Sequence, residues 1–128
     1  MNGRLMSVPA ARDVIEYALN LVRATRPNEG DAPPLVKKMI TWGAGPRAVQ
    51  ALLLGGKARA ALHGRHHVSV DDVRALAHPV LRHRIITNFS AEADGYTPDR
   101  MIDELLNIIQ PYAAKLDSNE RIRKVLST

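Results

Sequence analysis

The chain has 128 residues, 45% of them hydrophobic and 24% charged, an ordinary globular balance that excludes wholesale disorder and suits one domain. That length is too short for a complete nucleotide-hydrolysing machine. Aromatic residues make up only 4%, so the core must come from Leu, Val, Ile and Ala, which fits packed helices better than a β-sandwich. Cysteine is absent, which removes disulfides, thiolate zinc sites and cysteine nucleophiles and favours a cytoplasmic setting. No stretch reaches the ~18 apolar residues of a membrane helix. The net charge of +5 is unevenly spread: residues 36–86 hold nine Lys and Arg against two Asp. Such a surplus attracts phosphates, whether of nucleic acid or of a nucleotide.

Residues 1–7 carry no apolar signal core and are expected to be a start segment or cloning remnant. Arg12 to Thr25 has helical periodicity, with Val14, Ile15, Ala18, Leu19 and Val22 as its apolar stripe and only alanines to cap it. Residues 26–34 read as a loop, since three prolines and a glycine interrupt them. Leu35 to Trp42 is short and apolar, one helical turn or a brief strand. Gly43-Ala44-Gly45-Pro46 then breaks the chain, and Pro46 suits the first turn of a helix running to about His63. Its stripe is Val49, Leu52, Leu53, Gly56 and Ala60. Gly55 and Gly56 each weaken that helix by about 1 kcal/mol relative to Ala, which points to a second helix approaching closely there.

Gly64 is placed as a C-cap. Ser69 caps the next helix, with Asp71 and Asp72 at the positive end of its dipole. Val73, Leu76, Ala77, Val80 and Leu81 form its inner face, and Pro79 is expected to split it. Residues 84–89 read as extended or irregular, and 91–95 as a turn. Thr97-Pro98-Asp99 supplies a cap, a first-turn proline and a first-turn acid. The helix that follows carries Met101, Ile102, Leu105, Leu106, Ile108 and Ile109, and Pro111 ends it. Tyr112 to Thr128 is expected as a loose helix or frayed tail. The expected fold is all-α, a bundle of four to five helices with at most a token short strand.

Few residues carry chemistry. His63, His66 and His67 cluster in sequence, but Gly64 and Arg65 put them in a turn beside a cation, so they read as surface histidines and no metal site is expected. Gly55-Gly56-Lys57 lacks the earlier glycine and the following Ser or Thr of a phosphate loop, and lies inside a helix. Asp71-Asp72 and Asp103-Glu104 read as helix-start chemistry or a wet helix face. No nucleophile–base pair is visible, so no catalytic residue is expected in this chain by itself. The informative residue is Arg47, in a helix first turn where the dipole favours anions. Either it points to water, or it and the free N–H groups of that turn face a phosphate.

The run Gly43-Ala44-Gly45-Pro46-Arg47-Ala48 resembles the Gly-Ala-Ser-Pro-Arg-Ala signature in the C-terminal lid domain of MoxR-type AAA+ ATPases. Leu21 to Arg26, Val68 to Val73 and Pro79 to Ile85 resemble further stretches of the same lid, in the same order and spacing. The resemblance covers residues 8–110 and says nothing of 111–128. Gly45 stands where the family usually has serine, and Gly55-Gly56 where alanine is usual.

The resemblance implies an AAA+-type helical lid whose preceding P-loop domain lies elsewhere in a longer protein. It implies that Arg47 is the sensor 2 residue contacting the γ-phosphate of ATP, supported by the Gly43, Gly45 and Pro46 motif. It implies ATP and Mg2+ as cofactors of the full-length protein, none for the isolated domain, and a ring homo-oligomer. It implies chaperone-like assembly or activation of partner complexes, often with von Willebrand factor A domain proteins. Arg82 and Arg84 read as a solvated pair or a contact between subunits. The competing reading is a small basic helical module that binds nucleic acid. It is weakened by the absence of an arginine-rich recognition helix and of aromatic stacking platforms.

Overall fold

The computed structural model describes residues 10–111. The start segment expected at 1–7 and the tail expected from Tyr112 onward lie outside the described residues. Within them the chain forms seven helices and two very short strands: α1 (Arg12–Ala24), α2 (Pro34–Met39), β1 (Ile40–Trp42), α3 (Pro46–Leu62), α4 (Val70–Ala75), α5 (Ala77–Leu81), β2 (Ile86–Thr87), α6 (Phe89–Ala93) and α7 (Pro98–Ile108). The fold is a helical bundle with a token sheet, as its composition requires. The count of helices exceeds the four or five expected because the short α2, α5 and α6 stand as separate elements.

In α1, Val14, Tyr17, Ala18, Leu21 and Val22 are buried, the three-four spacing of one helix face. This face is rotated from the expected one, and Ile15 and Leu19 stay 41% and 44% exposed. Tyr17 is drawn inward because its hydroxyl has partners: it donates to the Ile109 carbonyl at 2.8 Å and accepts from Arg74 at 2.6 Å. Burial raises the Tyr17 pKa, with Arg74 opposing it. Arg74 also donates to the carbonyls of Leu106 and Ile109, tying the end of α7 to α4 and α1.

Pro34 opens α2 at its first position, where a missing N–H costs nothing, so the expected loop ends one residue earlier. Residues 35–42 prove to be helix and strand in succession. β1 pairs antiparallel with β2, Ile40 opposite Thr87 and Trp42 opposite Ile86. β2 is followed by α6, in the region expected to be irregular and then a turn. Its start is fixed by the Asn88 side chain, which accepts from the Ala91 N–H at 3.0 Å and donates to the Lys38 carbonyl at 2.7 Å.

The longest helix, α3, buries Ala48, Leu52, Gly56 and Ala60, while Val49 and Leu53 are half-buried. It packs against α4, α1 and α5. The close approach expected at its glycines is present. A Cβ on Gly55 would stand 2.8 Å from the Leu76 side chain, and one on Gly56 3.6 Å from Asp72 Cβ. Gly64, at φ +71°, ends the helix. The Gly64 N–H bonds the Ala61 carbonyl and the Arg65 N–H the Ala60 carbonyl, the paired bonds of a Schellman cap.

The break after α4 falls at Leu76 rather than at Pro79, which lies inside α5. A proline collides with the carbonyl four residues before it, here Ala75, so the interruption appears one turn upstream. Thr97 caps α7 through the Arg100 N–H at 3.2 Å, and Met101, Ile102 and Leu105 are its buried residues.

Candidate functional site

Arg47 occupies the second position of α3, after Gly45 as N-cap and Pro46 as first residue. It is exposed. Pro46 has no N–H, and the Gly45 carbonyl accepts from the Ala48 N–H at 3.0 Å. The first turn therefore shows the Arg47 N–H and guanidinium on the side where the macrodipole is positive. No acidic residue lies in this turn to neutralise them.

The loop that delivers Arg47 is held from behind by the end of α1. Thr25 is fully buried, and its hydroxyl donates to the Val22 carbonyl at 2.6 Å and accepts from the Ala44 N–H at 2.9 Å. Arg26 Nε donates to the Ala44 carbonyl at 2.8 Å. Both backbone groups of Ala44 are thus bonded by consecutive residues of α1's C-terminal end. Gly43 makes the contact sterically feasible, since a Cβ there would lie 2.3 Å from the Thr25 carbonyl oxygen. Gly45 is different: a Cβ would meet nothing within 4 Å, and it makes no side-chain cap.

Two of the stretches picked out in sequence, Leu21 to Arg26 and Gly43 to Ala48, are therefore one structural unit. The third, Val68 to Val73, is built around Asp72. Ser69 and Asp72 form a capping box at the start of α4. The Asp72 carboxylate also accepts from Arg59 at 2.6 Å and from both terminal nitrogens of Arg65. Burial alone pushes this carboxyl up, but Arg65, the Ser69 N–H, Arg59 and the Ser69 hydroxyl together outweigh it and hold it far below the usual carboxylate range. The same contact raises the Arg65 pKa. Sequence reasoning read Asp72 as helix-start chemistry only. The arginines come from 13 and 7 residues away, and spacing gave no sign of them.

The fourth stretch begins inside α5 and runs past its end. Arg82 Nε donates to Asp99 at 2.8 Å, and Arg84 to the Val80 carbonyl at 2.6 Å, so each has a partner within this chain. His78 Nε2 lies 2.7 Å from Asp103. His63, His66 and His67 are exposed, and among the described residues no three His, Asp or Glu side chains gather as a metal site. A hollow of about 1250 Å³ lies between α1 and the end of α7, and Arg47 does not line it.

These contacts occupy most of the cationic side chains of the middle region. Arg59, Arg65, Arg74, Arg82 and Arg84 are engaged as described, and Lys37 donates to the Gly30 carbonyl at 3.1 Å. Outside the region, Arg12 and Arg23 pair with Glu16 and Glu29, and Arg100 lies 4.2 Å over the Tyr96 ring. Among the described residues Arg47 is the one arginine without an ion pair, side-chain hydrogen bond or aromatic face.

The family described as the AAA lid domain matches residues 34–105. The chain belongs to this family. It is 31% identical over 96 residues to the chaperone MoxR1 of Mycobacterium tuberculosis, across 75% of this chain and 26% of that protein. It is 26% identical over 110 residues to the uncharacterized protein YeaC of Bacillus subtilis, across 86% of this chain and 32% of that one. A crystal structure of a protein provisionally assigned as an ATPase, from Cytophaga hutchinsonii, superposes with a TM-score of 0.78 at 30% identity, covering 84% of this chain and 33% of that one. The lid is of the MoxR type. The chain spans about a quarter to a third of the length of these relatives.

Proposed function

We propose that this lid, extending over residues 8–110, works in a longer ATP-hydrolysing protein and that Arg47 is its sensor 2 contact to the γ-phosphate of ATP. The observation that carries the reading is an exposed, unpartnered arginine in the first turn of a 17-residue helix, among described arginines that are otherwise all engaged. Its chemistry fits a triphosphate. The guanidinium charge is permanent, and its planar fork matches phosphate oxygens. As negative charge spreads over the transferring phosphoryl group, a positioned guanidinium stabilises it. ATP would supply the phosphoryl group and Mg2+ would neutralise its oxygens. The rest of the phosphate cradle belongs to the P-loop domain of the full-length protein.

Contact with one phosphate would also couple the lid's angle to the nucleotide. The bond exists while the γ-phosphate is present and is lost after hydrolysis, which favours a rigid-body movement of the lid. In a ring of identical subunits that movement would pass to a neighbour. Chaperone-like assembly of partner complexes in the cytoplasm, von Willebrand factor A domain proteins among them, is the role such a cycle suits. A nucleic-acid surface is a poorer fit. Engagement of the other cations leaves only the side chains of Lys38, Arg47 and Lys57 of the basic middle without a hydrogen bond or ion pair among the described residues.

The test is ATP turnover of the full-length protein carrying Arg47→Ala. The expected loss is on the order of tenfold to a thousandfold, as for removal of one charge-stabilising contact. Unchanged turnover contradicts the assignment.

A further inference from the structure

Among the described residues nothing holds the tip of Arg47, so its direction depends on the loop at its base. That loop has one anchor, Ala44, and both polar groups of the anchor are bonded to α1. The Ala44 N–H donates to the Thr25 hydroxyl at 2.9 Å, and the Ala44 carbonyl accepts from Arg26 Nε at 2.8 Å. Thr25 is itself fixed, because its hydroxyl proton goes to the Val22 carbonyl and its side chain is sealed from solvent. Gly43 presses against the Thr25 carbonyl on the same side. Only Gly45 and Pro46 separate Ala44 from Arg47, so a rotation of the loop swings the guanidinium directly.

We propose that Thr25 and Arg26 are positioning residues that aim Arg47 at the triphosphate by clamping Ala44 between the end of α1 and the start of α3. The inference rests on the phosphate role of Arg47. It gives the Leu21 to Arg26 stretch, which touches no nucleotide in this reading, a part in the reaction. An arginine aimed through its backbone, by bonds that do not touch its guanidinium, retains its whole charge for the ligand. One aimed by a carboxylate, as Arg59 and Arg65 are by Asp72, does not.

The experiment uses the full-length protein and compares its affinity for a non-hydrolysable ATP analogue with its affinity for ADP. Thr25→Val removes the hydroxyl while keeping the shape. Arg26→Ala removes the second bond and leaves Thr25 intact, which serves if the buried Thr25→Val variant does not fold. Each is expected to weaken the ATP analogue by about threefold to thirtyfold, the scale of a displaced contact group, with ADP unchanged. Thr25→Ser keeps the hydroxyl and is expected to restore the analogue's affinity. In an Arg47→Ala background, either substitution is expected to add less than about a factor of two, because the residue it acts through is gone.

Equal losses for ATP analogue and ADP, or losses that multiply onto that of Arg47→Ala, would overturn the positioning role and mark Thr25 and Arg26 as structural only. If Arg47→Ala discriminates against the analogue while Thr25→Val and Arg26→Ala do nothing, this inference falls and the sensor reading stands. If Arg47→Ala itself leaves the discrimination intact, both fall.

Discussion

The two ends of α3 use arginine in opposite ways. At the C-terminal end, Arg59 from the helix and Arg65 just beyond it converge on the buried carboxylate of Asp72, which also caps α4. At the N-terminal end no carboxylate among the described residues approaches Arg47, and the backbone beside it is held by a threonine hydroxyl and a neighbouring arginine acting on one residue, Ala44. One end consumes its cations to lock helices together. The other fixes the chain without consuming the cation. The contrast separates charge that holds the fold from charge available to a ligand, a distinction that composition and net charge do not make.

The strongest way to break the comparison is Gly43→Ala. A Cβ there would overlap backbone atoms of Thr25 that have no freedom to withdraw, so a loss on the order of 3 kcal/mol or more is expected in chemical denaturation. Asp72→Ala comes next. It strips the capping box and leaves Arg59 and Arg65 without their counter-charge, for an expected loss of roughly 2–4 kcal/mol. Because folding lowers the Asp72 pKa, its contribution is complete above the ordinary carboxylate range and is lost as pH falls below about 4 toward the folded-state value. Asp72→Asn is expected to reduce that acid sensitivity in melting experiments between pH 7 and pH 3.

The substitution that sharpens the contrast is Arg47→Ala, whose stability is expected to stay within about 0.5 kcal/mol of the parent while turnover falls. A large loss of stability would place Arg47 in the same class as Arg59. The smallest effect is expected from Gly45→Ser. Space is open at that position, and a serine hydroxyl can cap α3, so a gain of a few tenths of a kcal/mol is expected in thermal melting.

Much of this was legible in sequence where the signal is local. Ser69, Thr97-Pro98, Pro46 and Gly64 mark helix ends by chemistry confined to a few neighbouring residues, and they stand where that chemistry puts them. The four stretches resembling a MoxR-type lid also identified the family. What escaped depends on distant partners. Tyr17 displaces Ile15 and Leu19 from the core because its hydroxyl accepts from Arg74 and donates to the Ile109 carbonyl, 57 and 92 residues away. The helix α6 has one buried residue, Ala91, and an 83% exposed Phe89, so it carries no apolar stripe to detect.

At the site the sequence indicated Arg47 and its helix start, but not the clamp on Ala44. Its two hydrogen bonds join residues 18 and 19 positions apart. Nor could the sequence show which cations of the basic middle are already engaged.

The most direct measurement is a structure of the full-length protein with Mg2+ and a non-hydrolysable ATP analogue bound. The account predicts the Arg47 guanidinium at about 2.7–2.9 Å from a γ-phosphate oxygen, with Ala44 still bonded to Thr25 and Arg26. A γ-phosphate surrounded by other cations, with Arg47 turned to solvent, would contradict it.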